Sequence, residues 1–98
     1  MRRVVVTGLG LLTPLGLGTD TNWKRLVSGL VGINKIDNFE VSDLPCKIAG
    51  QIPKKSDDPE GGLNIDDWIE PRESKRIDRF IAYGLISAIQ AVEDSGWI

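Results

Sequence analysis

Three groups of residues in this 98-residue chain have types and spacing that invite chemistry: Gly8-x-Gly10, the single cysteine Cys46, and the cations Arg72, Lys75, Arg76 and Arg79. A dinucleotide fingerprint needs a third glycine and a helix that starts at the turn, so that backbone N–H groups reach the pyrophosphate. Here Thr13 occupies the third position, Pro14 follows, and the next helical pattern begins only near Asp20. No cofactor site is expected. A reactive thiol needs a base or a positive field to lower its pKa, and Cys46 has only Lys47 beside it in a chain without histidine. Cys46 therefore reads as a small buried hydrophobe on a strand, no catalytic residue is expected in this chain, and the Cys/His sets that hold zinc cannot be assembled.

The cations are different. At 100° per residue, Arg72, Lys75, Arg76 and Arg79 stand at i, i+3, i+4 and i+7 and fall within roughly 100° of one face, provided the helix is continuous. Such a face suits an acidic partner. Composition alone favours a solvated surface, with Glu73 pairing to Arg76 and Asp78 beside the patch.

Several elements must position these residues. Val4 to Thr7 is a β-branched run without polar alternation, which predicts a central strand buried on both faces. From Gly8 to Gly18 the chain reads as a packed loop. Thr19 or Asp20 caps a helix whose apolar residues Trp23, Leu26, Val27 and Leu30 recur at helical spacing, with Gly29 and Gly32 as stops. Residues 33–43 suit an ordered loop, and the alternation of Cys46, Ile48, Gly50 and Ile52 predicts a half-buried strand over 46–52. Pro53 to Gly62, PKKSDDPEGG, is expected as an exposed, mobile loop and the first point of proteolysis.

One helix, or two with a bend, is predicted from about 71 to 95, opened by Pro71 and stopped by Gly96. Its second part, Phe80 to Val92, is apolar on most faces, the pattern of a helix buried inside something larger. Ala82, Gly84, Ala88 and Ala91 would allow close packing there. The ending Trp97-Ile98, without a polar tail, reads as truncation of a longer chain.

Composition sets outer bounds. Apolar residues at 41% and charged residues at 27% are the balance of an ordinary soluble globular protein, with at most one small domain at this length. A net charge of −2 gives no general attraction to nucleic acid or anionic membrane. Apolar stretches are interrupted well before the ~20 residues of a membrane span. Met1-Arg2-Arg3 and the valines that follow have a signal-like start but no small-residue cleavage site, so they read as a strand and the protein as cytoplasmic.

The series RRVVVTGLG at 2–10, Thr13-Pro14-x-Gly16, Gly32-Ile33 leading to Ile36-Asp37-x-Phe39, Lys47-x-Ala49-Gly50, KRIDRFIAYG at 75–84 and QAVEDSG at 90–96 resembles the opening of the β-ketoacyl-[acyl-carrier-protein] synthases. It runs in the family's order over nearly the whole chain and is most similar to the elongating, synthase II type. The 53–70 segment departs from the pattern, being longer and acidic. The resemblance implies an α/β, thiolase-like fold, layered α-β-α-β-α in the full protein. Residues 1–98 would form the beginning of its first half and no complete independent domain. It implies a homodimeric acyltransferase of fatty acid biosynthesis that needs no cofactor. An acyl group from acyl carrier protein is taken by a cysteine, and two histidines assist decarboxylation of the malonyl-loaded carrier and stabilise the enolate, in a Claisen condensation.

In the family those residues lie beyond position 98, and Cys46 does not match the nucleophile's motif. What matches is the basic face: Arg72, Lys75 and Arg76 stand where the family presents cations to the acidic carrier protein, which reverses the preference for a solvated surface. Within the same fold, a polyketide-type ketosynthase or a non-condensing partner subunit would share this opening. An autonomous binding module with a basic helix is the alternative of another class, and the apolar 80–92 helix argues against it.

Overall fold

The computed structural model describes residues 1–97, so Ile98, on which part of the truncation reading rests, lies outside the described residues. Elements follow in the order β1 (Leu12–Thr13), β2 (Gly16–Leu17), α1 (Thr19–Val27), β3 (Ile33–Lys35), β4 (Ile48–Gly50), a 3-10 turn (Ile65–Asp67), α2 (Pro71–Ser74) and α3 (Arg79–Ser95). Helix and strand are mixed. The strands form two separate two-stranded ladders, β1 with β2 and β3 with β4. The chain divides into two compact units, Thr13–Leu63 and Met1–Leu12 with Asn64–Ile98.

In the first of these, α1 starts directly after Gly18, which holds the cap position without a side-chain bond in place of the expected Thr19 or Asp20, and it stops before Gly29, at a φ of 85°, as the sequence predicts. Its packed face is not the predicted one. Asn22 is 5% exposed, whereas Trp23, at 66%, and Leu26, Val27 and Leu30 face outward. The physical reason lies in the glycine turn before the helix: its carbonyls need donors, and a side-chain amide supplies them where a leucine cannot.

The ordered loop predicted over 33–43 begins instead with β3, paired antiparallel to β4 with Ile33 opposite Gly50 and Lys35 opposite Ile48. Ile36 N donates to Lys47 O at 2.8 Å, and Gln51 Nε2 to Lys35 O at 3.1 Å, which extends the hairpin beyond its ladder. The predicted strand 46–52 shrinks to 48–50. Cys46 precedes it and is exposed, with Sγ donating to Ile48 O at 3.3 Å, so the expectation of a buried cysteine is corrected. Ile48 is likewise exposed while Ala49 is half-buried, the opposite of the predicted facing.

Residues 53–63 also differ from the expected loose loop. Leu63 N donates to Pro53 O at 2.8 Å, Gly62 N to Asp58 O at 2.7 Å, and Lys54 bridges to Leu63, which is buried. These backbone pairings let a polar, proline- and glycine-rich stretch close into a turn without an apolar core of its own.

In the second unit, residues 4–7 are in no ladder and Val4 is 92% exposed, so the expected two-sided burial is not found. A strand's backbone needs a neighbour at hydrogen-bond spacing, and none is supplied among the described residues. The segment that follows instead lies along α3. Leu9 N donates to Asp94 Oδ2 at 3.0 Å, and Gln90 Nε2 to Leu11 O at 3.1 Å. Ser87, Ala91 and Ser95, four residues apart, form a small-residue stripe against which Gly8 and Gly10 sit.

Of the two alternatives for the 71–95 region, one helix or two with a bend, the structure has the second. Pro71 opens α2 at its first turn and Gly96 closes α3 with a φ of 73°, the left-handed position that glycine takes without strain. Ala82 and Ile86 form the buried face of α3, whereas Phe80, Ile81, Leu85 and Val92 are exposed. No helix among the described residues is long and apolar enough to cross a membrane.

Candidate functional site

Two polar arrangements stand out, one predicted and one not. The predicted cations sit around α2. Asn64 opens the preceding 3-10 turn by accepting from Asp66 N at 3.3 Å, and Glu70 provides the extended residue before Pro71. Ser74 N donates to Glu70 O at 3.0 Å, Lys75 N to Pro71 O at 3.2 Å, and Arg76 N to Glu73 O at 3.0 Å. The helical path therefore continues past Ser74 to Arg76, and Arg72, Lys75 and Arg76 keep their i, i+3, i+4 relation on one exposed turn. Ser74 and Ile77 are the half-buried residues that anchor it.

Arg79 is not part of that turn. Asp78, extended at φ −72° and ψ 160°, interrupts the helix, and Arg79 begins α3 as a separate helix. The four-cation face assumed a continuous helix and is replaced by a three-cation turn with Arg79 outside it. None of Arg72, Lys75 and Arg76 forms an ion pair among the described residues, so the suggested Glu73–Arg76 pair is absent as a side-chain contact there. Three unpaired guanidinium and ammonium groups on one turn can meet an anionic surface.

The second arrangement joins α1 to the 53–63 turn. Asn22 Nδ2 donates to Gly16 O at 2.9 Å and to Gly18 O at 2.7 Å, Thr13 Oγ1 donates to Asn22 Oδ1, and Leu15 N donates to Thr13 Oγ1 at 3.1 Å. Three residues along the helix, Arg25 holds Asp58 through both nitrogens, at 2.5 and 2.9 Å, and donates to Leu15 O at 2.8 Å. Gly61 N donates to Asp58 Oδ1 at 3.2 Å. The Arg25 guanidinium holds the Asp58 carboxyl below the usual carboxylate range, and Asp58 in turn raises Arg25.

Thr13, Asn22, Arg25 and Asp58 each bond to backbone or to one another within the chain, so the cluster serves to fix backbone. Its charge chemistry still has a consequence for stability. A depressed carboxylate pKa stabilises the fold above the unfolded value of about 3.9, and that stability is lost as pH falls through the lower folded value. At pH 7 it is fully present. Asp58→Asn should cost about 1–2 kcal/mol there, allowing for partial exposure of the pair. Trypsin should then cut after Lys54 and Lys55 several-fold faster than in the parent. Equal cleavage rates would mean that the backbone pairings hold the turn without the ion pair.

Sequence reasoning missed Thr13, Asn22, Arg25 and Asp58. An asparagine in the first turns of a helix after the alternating glycines Gly16 and Gly18 is a local signal that could have marked Asn22. Arg25 and Asp58 are 33 positions apart, beyond any spacing rule. Cys46 bonds, among the described residues, to the carbonyl of Ile48 and to no base. Among the described residues no three His, Cys, Asp or Glu side chains are gathered to hold a metal ion. A cleft of about 190 Å³ is lined by Pro14, Asn34, Lys35, Gln51 and Lys54.

Comparison with known proteins gives a consistent result. The family model for the β-ketoacyl synthase N-terminal domain matches residues 1–98. The 3-oxoacyl-[acyl-carrier-protein] synthase 2 of Rhizobium meliloti is 48% identical over 97 residues, covering 99% of this chain and 23% of the relative. The chloroplastic 3-oxoacyl-[acyl-carrier-protein] synthase II of Arabidopsis thaliana is 43% identical over 95 residues, 97% of this chain and 16% of the relative. The Vibrio cholerae synthase 2 is 36% identical over 95 residues, 97% and 21% respectively. The chain thus spans less than a quarter of the length of these relatives. Matched along its whole length by that domain model, the chain belongs to the β-ketoacyl synthase family, in the region of its N-terminal domain.

Proposed function

We propose that this chain is the opening part of a condensing enzyme that elongates fatty acyl chains, and that its α2 turn docks acyl carrier protein. The observation that carries this reading is the uninterrupted match to proteins named 3-oxoacyl-[acyl-carrier-protein] synthase, at 48% identity in one case. In this reading an acyl group passes from its carrier to a cysteine thiolate. Malonyl-loaded carrier then loses carbon dioxide, and the resulting enolate attacks the acyl-enzyme thioester, releasing the thiolate and leaving the lengthened β-ketoacyl chain on the carrier. The nucleophile and its two assisting histidines come from residues outside these 98, which contain no histidine at all.

Residues 1–98 supply the start of the first half of a thiolase-like, layered α-β-α-β-α fold in a cytoplasmic homodimer. Two features of the chain agree with that. The residues 4–7 are β-branched and exposed, as a strand awaiting neighbours would be, and one face of α3 is apolar and uncovered. The mixed helix and strand content agrees with an α/β class.

Arg72, Lys75 and Arg76 are the docking residues. They share one exposed turn and are unpaired among the described residues. Rim charges of this kind accelerate encounter and fix orientation, and salt weakens them. Reversing all three to glutamate in the complete enzyme should raise KM for carrier-linked substrate by about tenfold or more, with kcat little changed. The effect should shrink as salt is added, and a small thioester substrate without the carrier should be turned over as before. An unchanged KM at low salt would refute the docking role while leaving the condensation reading intact.

A further inference from the structure

We draw no further inference here: the strongest candidate, the exposed apolar stripe of Trp23, Leu26 and Val27 along α1 with Leu30 just beyond it, carries nothing because nothing in the structure shows what covers it.

Discussion

Alanine in place of Gly10 should lower the unfolding free energy by about 3 kcal/mol, the upper end of the usual cost of overpacking. A Cβ built there would overlap the carbonyl oxygen of Ser87 and lie 2.8 Å from both Ala91 N and Gln90 Cβ. Two of those atoms are helix backbone, so no rotamer change relieves the clash. Either the 8–11 segment or α3 must move, and the bonds from Leu9 N to Asp94 and from Gln90 to Leu11 O would stretch with it. The same substitution at Gly84 provides the comparison. Gly84 lies within α3 with nothing inside 4 Å of its Cβ position, so alanine there should stabilise the 98-residue chain by about 0.5–1 kcal/mol through helix propensity. Urea unfolding of both variants checks the pair of signs. A neutral Gly10→Ala would show that the segment does not lie on α3 in solution, and a destabilising Gly84→Ala would show that this face of the helix is packed against something.

The contrast between Gly10 and Gly84 also illustrates how much was legible beforehand. Helix ends were, because their signals are local: Pro71 lacks the N–H that a first turn leaves unpaired, and Gly29 and Gly96 accept the left-handed conformation that ends a helix. That Arg72, Lys75 and Arg76 share one turn was legible for the same reason, whereas their selection as a site rested on the family resemblance. Arg79 was misplaced because Lys75 to Asp78 contains neither glycine nor proline to announce a break. Whatever depended on distant partners was not legible. Val4 to Thr7 has strand composition, but composition supplies no ladder. β3 is three residues long, too short for its alternation to be read, and exists through its register with β4. In α1 the apolar spacing was real and its burial was not, because Asn22 and Arg25 found partners in Gly16, Gly18, Leu15 and Asp58 that no periodicity encodes. The family resemblance escaped this limit, since it rests on an ordered series of residues and not on where each one packs.

Trimming Ile86 to alanine should cost about 2–5 kcal/mol, the range for removing a large aliphatic side chain from a packed interior. Ile86 is 0% exposed and is the largest fully buried side chain among the described residues, with Ala82 one turn earlier on the same face. Few other apolar residues are buried, Leu63 being the third, so little else could compensate for the cavity. Ile86→Val removes a single methyl group and should cost about 1 kcal/mol, which separates graded loss of packing from wholesale misfolding. Leu85, next in sequence but 45% exposed, has less contact to lose. In the 98-residue chain Leu85→Ala should therefore fall below about 1 kcal/mol. In the complete enzyme proposed above, the uncovered face of α3 meets further structure, and the Leu85→Ala cost should rise toward that of Ile86→Ala. Measuring both substitutions by urea denaturation in both lengths of protein tests the two claims separately. Equal costs at 85 and 86 in the short chain would contradict the observed facing of α3, and an unchanged small cost at 85 in the long one would contradict its burial within a larger fold.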